Sequence, residues 1–361
     1  MITESGLKIY DSIIIGGGQA GLSVAYFMKR TDLNYLILDN QKEPGGAWLH
    51  TWDSLKLFSP TKYSSLSGWQ MPPSQNEYPT KNEFLNYLSA YEKRYNFPIQ
   101  RNTSVIQVSK EKDVFELETN NGTFYCRSLI SATGTAMSPF IPKYPNSEKF
   151  LGKQIHSVDY LNTDDLKNKK VLVVGGGNSG AQILAEVSKV TSTKWITIET
   201  PIFLPEDVDG RYLFNQANES YFNKETKEYR QKVSLSNIVQ IESVKEGLKY
   251  GVYKDFRPFK AFYENGVIWQ DDSKESFDVI IWCTGFKPNL DHLKRLGLTD
   301  NYRIKTQKTH ATNEPALWLV GYGNWTGFAS ATIYGVGKTA KKTVEEVSEF
   351  LKQHTTQKIC S

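Results

Sequence analysis

The sequence predicts an α/β protein made of two Rossmann-like dinucleotide-binding units, with parallel sheets, flanking helices and a small antiparallel meander in the first unit. Three observations carry this. A β-branched run, Ile13-Ile14-Ile15, enters the glycine turn Gly16-Gly17-Gly18-Gln19-Ala20-Gly21 and leaves as a helix-like stretch from Leu22 to Lys29. The same order recurs as Val171-Leu172-Val173-Val174, then Gly175-Gly176-Gly177-Asn178-Ser179-Gly180, then Ala181 to Lys189. Each unit also carries a later echo: Leu129-Ile130 runs to Ala132-Thr133-Gly134, and Val279-Ile280-Ile281-Trp282 runs to Cys283-Thr284-Gly285. This is one domain-sized pattern used twice, unlike the short periods of solenoid repeats.

In a G-x-G-x-x-G turn between strand and helix, glycines allow the bend and let the backbone approach a pyrophosphate at the helix N-terminus. A lone match is weak, but here strand and helix flank both copies, the context the motif requires. An acidic residue is then expected about 20 residues on, at the end of the next strand, to hold ribose hydroxyls. Tyr35-Leu36-Ile37-Leu38 leads to Asp39, and Trp195-Ile196-Thr197-Ile198 leads to Glu199. Glu199 favours the free 2′-hydroxyl of NADH, while Lys194 and Arg211 are basic groups able to reach the 2′-phosphate of NADPH, so either nucleotide is expected.

Between the motifs, Phe84, Leu85, Leu88 and Tyr91 are spaced as one helix face within Lys81–Tyr95. Thr80 and Glu83 are placed to form a capping box at its start. Val105–Val108 and Val114–Leu117 alternate apolar with polar and are bounded by turn residues, as a meander requires. The polar, aromatic stretch from Arg211 to Lys249 has no clean period and reads as an excursion of the second unit. Gly337–Leu351 has a helical pattern, and the last ten residues read as a loose tail.

Composition excludes several classes. The chain has 361 residues, 39% of them hydrophobic, enough for about two domains. A net charge of +4 from 43 basic and 39 acidic residues gives no electrostatic case for nucleic acid or an anionic membrane. Cys126, Cys283 and Cys360 are far apart, which fits a reducing cytoplasm and argues against a disulfide framework or a metal knuckle. No signal-peptide pattern or spanning apolar run is present.

Two further motifs narrow the reading. Gly45-Gly46-Ala47-Trp48 follows Asp39 as a G-G-x-W arm, and Phe150 to Tyr160 reads F-x-G-x-x-x-H-x-x-x-Y around Gly152 and His156, just before the second glycine turn. Together these resemble the class B flavin-dependent monooxygenases, in their flavin-containing monooxygenase branch. Baeyer–Villiger enzymes end the second motif in Trp-Pro, whereas here Tyr160 is followed by Leu161. The segment Trp52-Asp53-Ser54-Leu55-Lys56-Leu57 is similar to the plant auxin-forming flavin monooxygenases and their bacterial relatives. The likeness spans nearly the whole chain.

The resemblance implies an FAD-binding domain of residues 1–155 and 286–361, with an NAD(P)H-binding domain, 156–285, inserted in it. It implies that Gly16, Gly18, Gln19, Ala20, Gly21, Asp39, Gly46, Trp48, Val105, Ala132, Thr133 and Gly134 hold FAD. It assigns NADPH or NADH to Gly175, Gly177, Asn178, Ser179, Gly180, Glu199, Arg211, Thr284 and Gly285. His156 is read as fixing the linker between the domains. The activity implied is NAD(P)H-dependent oxygenation of a small soft nucleophile, an amine or sulfur compound, by dioxygen through a C4a-(hydro)peroxyflavin. That chemistry needs no protein nucleophile, only a dry pocket. Trp52, Phe58, Trp325 and Tyr334 are the candidate pocket residues, and a helix opening at Thr326–Ala329 is expected to aim its N-terminus at the flavin.

Two features of the family are absent. Leu57-Phe58-Ser59-Pro60 lacks the asparagine found there in eukaryotic members, and Lys56 is the nearest basic residue to the position of the Baeyer–Villiger arginine. An NAD(P)H oxidase or flavin reductase releasing peroxide, and a non-catalytic dinucleotide-binding redox sensor, therefore stay open as alternatives. A disulfide reductase is disfavoured because no C-x-x-C exists. A homodimer is compatible with the resemblance.

Overall fold

Strand β1 (Ile9–Ile15) ends in the first glycine turn, and helix α1 (Gln19–Met28) leaves it. The computed structural model describes residues 8–206, 208, 237–327 and 329–359. The chain returns through β2 (Tyr35–Leu38), helix α2 (Lys81–Tyr95) and β3 (Ile99–Gln100). It then makes the meander β4 (Val105–Glu111), β5 (Val114–Thr119) and β6 (Gly122–Ser131). β1 lies between β2 and β6, parallel to both. Ile14 faces one core and Ile13 and Ile15 face another, so β1 is buried on both sides, as a covered parallel sheet requires. The expected capping box starts α2: the Glu83 amide donates to Thr80 Oγ1 at 3.2 Å, and the Thr80 amide donates to Glu83 Oε2 at 2.7 Å. Such a cap contributes about 1 kcal/mol.

The second sheet takes over at β7 (Lys153–His156). It continues with β8 (Lys170–Val174), helix α3 (Asn178–Val187), β9 (Ser192–Ile196), helix α4 (Glu242–Lys249) and β10 (Asp255–Phe256). A three-stranded ribbon, β11 (Ala261–Tyr263), β12 (Gly266–Ile268) and β13 (Lys274–Ser276), precedes β14 (Val279–Trp282). The sheet order is β10-β9-β8-β14-β7. A hairpin of β15 (Thr299–Asp300) and β16 (Arg303–Ile304) follows. Then β17 (Thr306–Gln307), β18 (His310–Ala311) and β19 (Leu317–Leu319) return to the first sheet, β19 pairing with β6. Helix α5 (Ile333–Ile359) closes the first unit, packing Val336, Ala340 and Val344 with Leu22, Ala25 and Met28 of α1.

The duplication is visible bond by bond. The Gly16 amide donates to Leu38 O and the Gly175 amide to Ile196 O, both at 2.8 Å; the Ala132 and Cys283 amides donate to Ile15 O and Val174 O at 2.8 and 2.7 Å. The two units are also riveted together. Trp52, Leu55 and Tyr78, from the segment between β2 and α2, are buried in the second unit's core beside Val171, Val173 and Ala181.

Three expectations are corrected. β9 ends at Ile196, not Ile198, and Ile198 is 83% exposed. The helix expected to open at Thr326–Ala329 starts later: among the described residues there, positive φ at Gly327 (129°) and Ala329 (51°) breaks the path, and α5 starts at Ile333, where Thr332 Oγ1 accepts from the Gly335 amide at 3.0 Å. The loose tail is helical as far as Ile359. Of the Arg211–Lys249 excursion, only 237–249 lies within the described residues, and its last turns form α4.

Candidate functional site

Both glycine turns are built by close backbone approach. At Gly16 (φ 106°) an added Cβ would lie 2.6 Å from Ala132 O, and at Gly21 it would lie 1.8 Å from Gly16 O. The second turn repeats this: a Cβ on Gly175 (φ 133°) would sit 2.2 Å from Cys283 O, and one on Gly180 2.1 Å from Gly175 O. Neither α1 nor α3 has a side-chain cap or an acidic residue in its first turn. The first-turn amides have no acceptor within their own helix, and the helix dipole adds positive potential there. Each turn is therefore an open anion cradle.

The two cradles share one cleft of about 520 Å³, a size typical of ligand sites. Of the sequence-predicted residues, Gly16, Gly18, Gln19, Ala20, Asp39, Gly46, Trp48, Val105, Ala132, Thr133 and Gly134 line it from the first unit. Asn178 and Ser179 line it from the second, and Trp52 and Phe58 wall it between them. Gly21, Gly175, Gly177 and Gly180 shape the turns without lining the cleft. Several lining side chains are braced by neighbours. Trp48 Nε1 donates to Gln19 Oε1 at 2.9 Å, and Gln19 Nε2 donates to Ala331 O at 2.9 Å. Asn178 accepts from the Val239 amide at 2.9 Å and donates to Asn237 O at 3.0 Å.

Asp39 is buried at the end of β2 and paired with Arg101, which also reaches Glu92. Burial pushes its carboxyl above the ordinary range, opposed by Arg101 and by the amides of Gly17, Gln41 and Asn40. By register, the matching position in the second unit is Thr197, not Glu199: Leu38 pairs with Ile15 as Ile196 pairs with Val174. The turns agree, because a Cβ on Gly17 would meet Asp39 Oδ2 at 2.9 Å, and one on Gly176 would meet Thr197 Cγ2 at 3.3 Å. Glu199 lies two residues beyond, and neither Thr197 nor Glu199 lines the cleft.

The basic group at this strand end is Arg257, which follows β10 and which the sequence reading missed. Its Nη1 donates to Thr197 Oγ1 at 2.7 Å and its Nη2 to Thr200 Oγ1 at 2.8 Å, and Asp255 pairs with it at 2.9 Å. Its side chain is 49% exposed and stands outside the cleft lining, with guanidinium donors left over. Lys194 is engaged elsewhere, 2.6 Å from Glu275. Arg211 lies outside the described residues.

Trp325 and Tyr334 are not brought to the cleft: Trp325 packs on Tyr322 with ring centroids 5.7 Å apart, and Tyr334 on Tyr63 at 5.4 Å. Thr284 and Gly285 also stand off the lining, in the crossing between the units. There the Phe140 amide donates to Gly285 O at 2.9 Å and the Lys287 amide to Ser138 O at 2.8 Å. His156 fastens this crossing. Its Nε2 donates to Gly285 O at 3.0 Å, while its Nδ1 accepts from the Val158 amide at 3.2 Å, which fixes a neutral tautomer. Burial lowers its pKa accordingly.

Two anion cradles opening on one aromatic cleft define a two-dinucleotide oxidoreductase fold. Comparison with known proteins agrees. The family model for pyridine nucleotide-disulphide oxidoreductases matches residues 13–321. The oxidoreductase CzcO of Bacillus subtilis is 33% identical over 351 residues, covering 94% of this chain and 99% of that protein. The probable indole-3-pyruvate monooxygenase YUCCA1 of Arabidopsis thaliana is 26% identical, covering 99% and 95%. The flavin-containing monooxygenase of Stenotrophomonas maltophilia superposes with a TM-score of 0.88 at 41% identity, covering 95% of this chain and 99% of that one. The chain belongs to the pyridine nucleotide-disulphide oxidoreductase family, on its flavin-monooxygenase side, and its cofactors are FAD and a nicotinamide dinucleotide. Among the described residues, no helix is long and apolar enough to cross a membrane.

Proposed function

We propose that the protein oxidises NAD(P)H and uses dioxygen to oxygenate a small soft nucleophile, an amine or sulfur compound. The observation carrying this is the single cleft that joins the two cradles, walled by aromatic and aliphatic side chains. FAD fits the first unit, where the glycine turn, Asp39 and the Ala132–Gly134 crossing surround an uncapped helix end; the nucleotide fits the second, at Asn178 and Ser179. On this reading, residues 1–152 and 286–361 form the FAD domain and 153–285 the NAD(P)H domain; the boundary expected at 155/156 moves because β7 (Lys153–His156) pairs whole with β14 in the second sheet. When bound, FAD supplies hydride acceptance and dioxygen activation.

The chain's own part is placement and exclusion of water. The α1 and α3 amides hold diphosphates, Trp48 braces Gln19 beside the first cradle, and Trp52, Leu55, Leu57 and Phe58 give the cleft apolar wall. A dry pocket of that kind favours oxygen transfer over peroxide loss. Arg257 stands where dinucleotide folds read the ribose 2′ position, which supports use of NADPH. A disulfide-reductase reading is opposed by the thiols: Cys126 and Cys283 are both unpaired, and burial pushes the Cys283 thiol up to about 12.

The test is product stoichiometry. Purified protein is expected to be yellow, to consume NADPH in air and to form about one sulfoxide from an aryl methyl sulfide per NADPH. Stoichiometric peroxide without sulfoxide would establish the oxidase alternative, and a flavin-free protein would remove the proposal altogether.

A further inference from the structure

A chain of hydroxyls running from Thr133 in the cleft wall to the buried Tyr322 and Ser131 has only one consistent direction. Asn289 O can only accept, so the Thr133 hydroxyl, 2.6 Å away, donates to it. Thr133 Oγ1 also lies 2.6 Å from Tyr322 OH, and with its own proton used it must accept from the tyrosine. Tyr322 has then spent its single proton. Its oxygen accepts from the Thr133 amide at 3.3 Å and from Ser131 Oγ at 2.6 Å. Ser131 in turn has no proton left, so it accepts from His292 Nε2 at 3.0 Å. The imidazole is thus an Nε2–H donor.

His292 is 6% exposed and lines the cleft. Burial pushes its pKa down to about 4, so the ring is neutral and Nδ1 carries a bare lone pair. The one hydrogen bond of the ring among the described residues is at Nε2, which leaves Nδ1 without a protein donor in a side chain that lines the cleft. An acceptor without a protein donor on a cleft-lining ring is available to a donor on a bound ligand.

We propose that His292 is a flavin-positioning residue, whose Nδ1 accepts a hydrogen bond from a hydroxyl of the FAD ribityl or ribose and whose orientation is set by the Ser131–Tyr322–Thr133–Asn289 chain. This rests on FAD occupying the first unit. The chain ties the Ala132–Gly134 crossing to the turn at Tyr322, so the same bonds that shape the cleft aim the acceptor.

The experiment is titration of apo-protein with FAD, FMN and ADP, using flavin fluorescence for the first two and calorimetry for the third. Gln at position 292 puts an amide near Nε2 and Asn puts one near Nδ1. His292→Gln keeps the donor to Ser131 and is expected to weaken FAD about tenfold, the worth of one buried hydrogen bond; His292→Asn is expected to stay within threefold of wild type. A loss shared with FMN assigns the bond to ribityl, and one shared with ADP assigns it to ribose. Equal FAD affinity for His292→Gln and wild type overturns the proposal, as does equal loss in both variants. Should a variant not fold, 15N-histidine spectra of the wild type decide: the Nδ1 signal of this ring moves on adding FAD, and one that stays fixed overturns the assignment. Wild-type protein that binds no FAD would instead overturn the cofactor reading beneath it.

Discussion

The buried His292 makes the stability of the apo-protein depend on acid in a way that can be calculated. Its ring sits about 2.5 pH units below the ordinary histidine value of 6.5, at about 4, because burial disfavours the cation more than Asp291 favours it. Between those values the unfolded chain binds a proton that the native chain refuses. Stability therefore rises with pH across that window and is lost as pH falls through it, at ~1.4 kcal/mol per unit. From pH 7 to pH 5 the loss due to this ring is about 2 kcal/mol, a large share of a typical stability of ~5–15 kcal/mol. Urea unfolding of apo wild type and His292→Gln at both pH values measures it. His156, also lowered by burial, and Asp39, whose raised carboxyl acts with the opposite sign, are present in both proteins and cancel in the difference. Equal pH slopes for the two proteins would refute the reasoning.

Gly21→Ala puts a methyl 1.8 Å from Gly16 O; the turn must open, at about 1–3 kcal/mol, and the protein is expected to purify colourless, as its visible spectrum will show. Arg257→Gln removes a charged donor worth about 1.5–3 kcal/mol to a phosphate, so the ratio of KM for NADH to that for NADPH should fall by roughly 10- to 100-fold; an unchanged ratio removes Arg257 from the nucleotide site. Thr80→Ala deletes the capping box of α2 and should cost about 1 kcal/mol in urea unfolding, without changing FAD affinity.

The parts of the site legible in the sequence are those built by contiguous residues. Both glycine turns, Asp39 and the crossing at Ala132–Gly134 are local patterns, and their flanking strands are buried on both faces, so they read as continuous apolar runs. Failures came where tertiary contacts override local pattern. Ile196-Thr197-Ile198 reads as a strand to its end, yet Ile198 faces solvent and the strand stops short, so Glu199 lies two residues past the position that matches Asp39. Trp325 and Tyr334 are pocket candidates by the resemblance, and packing on Tyr322 and Tyr63 holds them off the cleft lining. Arg257, Ser131, Tyr322 and His292 left no signal, because each is an unremarkable residue whose role depends on partners far away in the chain.

Trp52, Leu55 and Tyr78 bear on how such proteins diversify. They are encoded with the first unit but fill space among Val171, Val173 and Ala181 of the second. Excising the second unit as a cassette, or exchanging it between relatives, would strip three large plugs from its interior and leave a hole that water enters. A recombinant that changes nucleotide preference by swapping this unit must carry the 52–78 segment with it, and natural recombination faces the same constraint.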